Sequence, residues 1–144
     1  EGRRQRGGGL VAQGEWAEAL EEYQAALREL HFQAPSAEAR REHRELSNAC
    51  HLSCALCYLM LEEHAAAAEA CTKVLESDGG SVRARLRRAT ALGEMGKLEE
   101  ALDDVEEALR LEPGSAELSR LREGLQRRRR QHRRRGRGSR RSRS

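Results

Sequence analysis

Four arginines, Arg83, Arg85, Arg87 and Arg88, fall within six residues of the stretch SVRARLRRA (81–89), with no acid among them. Guanidinium groups do one kind of chemistry well, charge-assisted and two-pronged hydrogen bonding to carboxylates or phosphates. On a helix, residues three or four apart share a face, so Arg83 and Arg87 point one way and Arg85 and Arg88 another. Like charges so placed repel by about a few tenths of a kcal/mol. An anion-binding groove would require that cost. The alternative is that all four solvate the helix or pair with acids such as Glu62 and Glu63.

Other reactive residue types form weaker patterns. Cys54-Ala-Leu-Cys57 has the C-x-x-C spacing of zinc and redox sites, and Cys50 and Cys71 complete the set. Yet the surrounding HLSCALCYLML reads as helix and no second pair follows, so the cysteines are expected as small packed residues of a reducing compartment. His51 or His64 with Cys57 suggests a base and a nucleophile, but Cys57 falls on a packing face. No phosphate loop, carboxylate pair or metal set occurs. The expectation is therefore a binding protein with no catalytic residue, cofactor or metal.

The elements that position these residues are helices. The apolar content is mostly Leu and Ala, aromatics are only 3% and charged residues 35%. Two prolines, Pro35 and Pro113, stand where helices end. No run approaches the length of a membrane span and no signal-peptide pattern opens the chain. Three segments align on one template: GLVAQGEWAEALEEYQAAL (9–27), CYLMLEEHAAAAEACTKVL (57–75) and ALGEMGKLEEALDDVEEAL (91–109). Ala19, Ala67 and Ala101 correspond, with Trp16, His64 or Leu98 ahead of them. Ala26, Val74 or Ala108 follows, then Leu27, Leu75 or Leu109. Twelve residues before each central alanine lies Gly7, Ala55 or Ala89. Antiparallel helix pairs need small residues where their backbones approach and large ones to fill the neighbouring groove. The period is 34 residues from Ala67 to Ala101, and 48 from Ala19 to Ala67, which is 34 plus a 14-residue insertion around HFQAPSAEARREHRELS.

This spacing resembles the tetratricopeptide repeat, over roughly residues 3–125. LSCALCYLMLEEHAAAAEACTKVLESD and VRARLRRATALGEMGKLEEALDDVEEALRLEP, with the insertion, are most similar to the C-terminal repeats of FKBP-type immunophilins. The resemblance implies an all-α domain over 1–126. Three hairpins (approximately 1–32, 48–80 and 82–114) would form a right-handed superhelix, with a capping helix over 115–126. Helices are expected near 1–12, 16–30, 37–60, 64–77, 81–93 and 97–111, and a seventh from Ser115, whose Leu118, Leu121 and Leu125 form a covering stripe.

In chaperone-binding members, the first helices form a carboxylate clamp for the acidic C-terminal tail of seventy- and ninety-kilodalton heat-shock chaperones. The resemblance carries its five positions onto Arg4, Gly8, Ser53, Arg83 and Arg87. Three cations are kept, all as Arg, and two asparagines are lost. Arg83 and Arg87 are thus expected to receive an acidic chain end, and Arg85 and Arg88 to serve as solvated or paired charges. The implied partner is a protein or peptide with an acidic C-terminus, a heat-shock chaperone among them, and the domain is expected as a monomer. In an immunophilin, a prolyl isomerase domain would lie upstream; the chain opens on Glu1 rather than Met, as a piece of a longer protein would.

The formal net charge of +3 hides eleven arginines and no acid in RRRRQHRRRGRGSRRSRS (127–144), which leaves residues 1–126 at −8. This tail is expected to fray into disorder. Nuclear import, binding to RNA or an anionic membrane, a chance extension, and folding back on the acidic body all fit its composition. With no membrane span, the localisation expected is cytoplasmic or nuclear, and the leading alternative function is a nuclear, nucleic-acid-associated adaptor.

Overall fold

A computed structural model describes residues 2–32 and 36–142; Glu1, Pro35 and the last two residues lie outside the described residues. These fold as α1 (Gly2–Ala12), α2 (Trp16–Phe32), α3 (Arg40–Met60), α4 (His64–Ser77), α5 (Val82–Glu94), α6 (Leu98–Leu111) and α7 (Ala116–Ser142). Each helix packs chiefly on its predecessor and successor, and α3 also meets α5. The core is accordingly a chain of clusters rather than one centre.

Small residues hold the helices close. Ala19, Ala55, Ala67, Ala89 and Ala101 are all 0% exposed, and Gly7 lies beneath the Tyr23 ring, where a Cβ would sit 2.9 Å from ring carbons. The three hairpin turns repeat the same geometry. Glu15, Glu63 and Lys97 donate backbone N–H bonds to the carbonyls of Leu10, Tyr58 and Leu92, at 2.8, 2.8 and 2.9 Å. The residue before each donor is left-handed: Gly14 (φ 74°), Glu62 (φ 60°) and Gly96 (φ 79°). Only the second repeat places a non-glycine there, a conformation that disfavours a Cβ.

The third hairpin is the best defined locally. Ser81 caps α5 by accepting from the Ala84 N–H at 3.2 Å, and Ser115 does the same for Leu118 at 3.2 Å. Leu118 and Leu125 of α7 are 1% and 2% exposed and cover α6. Leu125 also sits against Gly93, where a Cβ would meet its Cδ2 at 2.8 Å. Composition predicts fraying beyond Gln126, but α7 continues to Ser142. Ion pairs tie the first of these turns to the body: Arg128 with Glu94 at 3.2 Å, and Arg129 and Arg133 with Glu99 at 3.4 and 3.6 Å. Acids of the third hairpin thus draw the basic helix onto the body.

Candidate functional site

The first helices of the hairpins, α1, α3 and α5, carry the five positions singled out from sequence. Arg4 and Ser53 line one cavity of about 240 Å³ with Gln5 and Tyr23, so α1 and α3 contribute to a common space. Gly8 borders it: a Cβ there would find only the Tyr23 hydroxyl, at 3.9 Å. Arg87 of α5 reaches across to α3 and donates to the carbonyl of Leu52, the residue beside Ser53. Arg83, one turn earlier on α5, is exposed.

Electrostatics divides the arginines into two classes. Arg3 pairs with Glu29 at 2.5 Å and Glu22 at 3.6 Å, and Arg6 with Glu22 at 3.3 Å. Arg85 and Arg88 converge on the buried carboxylate of Asp104, at 3.2 and 2.6 Å. Arg4, Arg83 and Arg87 have no carboxylate within 4.0 Å among the described residues. The three cations that the family resemblance selects are thus among the arginines without a carboxylate in that range, a group that also holds Arg28, Arg40 and Arg44. Burial lowers the Arg87 pKa and the neighbouring Arg83 charge lowers it further, whereas the Asp104 hydrogen bond raises that of Arg88. A half-buried guanidinium with a like charge beside it is a site that an incoming anion relieves.

The expectation for Arg85 and Arg88 needs one correction. They are paired, but with Asp104 rather than Glu62 or Glu63. Both acids lie at the α3–α4 turn, where Glu62 occupies the left-handed position. Asp104, on the face of α6 turned to α5, is 3% exposed and held by both guanidinium groups.

The cysteines face inward. All four are free and buried, and burial pushes the Cys54 and Cys71 thiols up to about 12 and raises Cys50 and Cys57 as well. Thiolate, the nucleophilic and metal-binding form, is thereby disfavoured. What the α1–α3–α5 side offers is guanidinium and hydroxyl donors. Tyr23 and the Leu52 carbonyl were not foreseen from sequence. Tyr23 had a signal, as the ring four residues after Ala19, but its contact with Gly7 depends on how α1 lies on α2.

Comparison with known proteins places this geometry. Residues 5–82 match the family described as Tetratricopeptide repeat. Human peptidyl-prolyl cis-trans isomerase FKBP4 is 32% identical over 113 residues, which are 78% of this chain and 25% of that protein, so the chain spans about a quarter of this relative's length. The C-terminal repeat domain of a Plasmodium falciparum FK506-binding protein superposes with a TM-score of 0.85 at 22% identity, covering 92% of this chain and 89% of that one. The second repeat domain of human RPAP3, solved in complex with the HSP70 peptide SGPTIEEVD, has a TM-score of 0.71 at 26% identity, covering 86% and 92%.

Proposed function

Starting from the premise that this chain belongs to the tetratricopeptide-repeat family, we propose that it is a chaperone-binding adaptor module whose α1–α3–α5 face docks an acidic C-terminal peptide. The observation that carries the reading is the isolation of Arg87. Its guanidinium is half-buried, tied to a backbone carbonyl and accompanied by Arg83, with no carboxylate within 4.0 Å among the described residues. Arg4 and Ser53 extend the same donor surface toward α1. The domain of RPAP3 with an HSP70 peptide bound supports the choice of partner.

In this clamp Gly8 contributes no side chain and Ser53 a short hydroxyl, where chaperone-binding relatives carry asparagine. Each absent hydrogen bond to a charged acceptor is worth about 1.5–3 kcal/mol, so the arginines supply most of the affinity. Calorimetric titration with a peptide ending in Met-Glu-Glu-Val-Asp tests this. The Arg83→Ala/Arg87→Ala protein is expected to bind at least about tenfold more weakly, or about 1.4 kcal/mol. Equal affinity for both proteins removes the proposal.

A further inference from the structure

A second groove lies between α2, α3 and α4, on the other side of α3. His51 lines it, while Ser53, two residues on and about 200° around the helix, belongs to the clamp face. Its cavity is about 740 Å³, within the roughly 300–1,000 Å³ typical of ligand pockets. The corresponding groove one repeat later, between α4, α5 and α6, has a cavity of about 450 Å³. The reason is in the residues. Arg85, Arg88 and Asp104 occupy that later groove as an ion-paired cluster. At the 34-residue period, the same three positions in the earlier groove are His51, Cys54 and Ala70, and all three line the larger cavity. An imidazole, a thiol and a methyl stand where two guanidinium groups and a carboxylate fill the neighbour.

The 14-residue insertion supplies the far wall. It brings Leu30 and Phe32 at the end of α2 beside His43 near the start of α3, with His43 Nε2 2.7 Å from the Leu30 carbonyl oxygen. Phe32 is 84% exposed at this edge. The floor is apolar, from Leu27, Ala66 and Ala70. Arg28 of α2 and Lys73 of α4 line the cavity without a carboxylate within 4.0 Å among the described residues, and Glu69 is the acid that lines it with them. The groove is thus apolar at its base, wet at its edges and biased toward anions.

We infer that this α2–α3–α4 groove is a second docking site, for an internal protein segment presenting a bulky apolar side chain flanked by carboxylates. The apolar group covers Leu27 and Ala70, and the carboxylates meet Arg28 and Lys73. Such a ligand needs no free chain end, which separates it from the ligand of the clamp face. An adaptor with both sites could hold two partners, or two parts of one, on opposite faces.

The test is fluorescence anisotropy of the whole chain with a labelled peptide, Glu-Glu-Phe-Leu-Glu-Glu, blocked at its C-terminus as the amide. Binding is expected to fall at least tenfold in Arg28→Glu/Lys73→Glu, two exposed positions, with circular dichroism confirming an unchanged helix content. It is expected to be unchanged in Arg83→Ala/Arg87→Ala and absent for Lys-Lys-Phe-Leu-Lys-Lys. Absence of binding by the acidic peptide, sensitivity to Arg83 and Arg87 instead, or equal binding of the lysine peptide overturns the inference. So does binding of free phenylacetate in place of the peptide, which would make the cavity a small-molecule site.

Discussion

In α1 the buried residue is Gly7 alone, whereas α5 buries Ala84, Ala89, Ala91, Leu92 and Gly93. The first helix holds Gly7, Gly8 and Gly9 in succession and is tied to α2 by exposed ion pairs of Arg3 and Arg6. The last hairpin is held by a buried carboxylate shared between two guanidinium groups and by the leucines of α7. Exposed pairs contribute little, and interior glycines cost roughly 1 kcal/mol each relative to alanine. The two ends of the clamp face therefore differ in firmness. Arg83 and Arg87 stand on a helix with five buried residues, while Arg4 and Gly8 stand on one with a single buried residue. In the proposed clamp, affinity is expected to come mainly from the firm end.

Three changes would break or sharpen this contrast. The largest effect is expected from Asp104→Ala, which strands two partly buried guanidinium groups. Removing one partner of a buried pair costs about 3–5 kcal/mol, read as a lowered urea midpoint, and a loss below about 1 kcal/mol would show the third hairpin to be no firmer than the first. Next is Gly9→Ala. No atom lies within 4 Å of where its Cβ would be, so α1 should gain about 1 kcal/mol. Its amide exchange should slow, and the clamp peptide should bind more tightly. The smallest concerns the middle repeat. Burial and Lys73 lower the His51 pKa from its ordinary 6.5, with His31, His43, Arg28 and Glu69 also lining its cavity. The unfolded chain then binds a proton that the folded chain resists. Stability should fall as pH drops below about 6.5 toward the folded value, and less so in His51→Gln, as thermal melts across that window would record.

The fold was readable because its signals are local and recur. Expected helices at 64–77 and 97–111 match α4 (His64–Ser77) and α6 (Leu98–Leu111) closely, since spacing of small and large residues sets them without reference to distant parts of the chain. Ser115 announces its helix through the chemistry of its own side chain. The pairing of Arg85 and Arg88 was less readable. It depends on which acid of α6 lies opposite α5, and Asp103, Asp104, Glu106 and Glu107 offer adjacent choices that only the packed helices resolve. The partners of Arg128, Arg129 and Arg133 were likewise hidden from composition, because Glu94 and Glu99 belong to other helices. The large cavity was invisible for the same reason. An absent ion-pair cluster leaves no motif, only His51, Cys54 and Ala70 at the repeat period.

The seating of Leu125 on Gly93 reaches beyond the packing of one side chain. A solenoid has no inherent reason to stop, because each hairpin presents its successor with the kind of surface that it covers on its predecessor. Here α7 brings leucines to the growing edge and then runs on as almost pure cation. A protein trimmed ahead of Ala116 would bare the apolar stripe of α6 and is expected to associate end to end as its concentration rises. The terminal helix thus closes the apolar edge that the third hairpin would otherwise present.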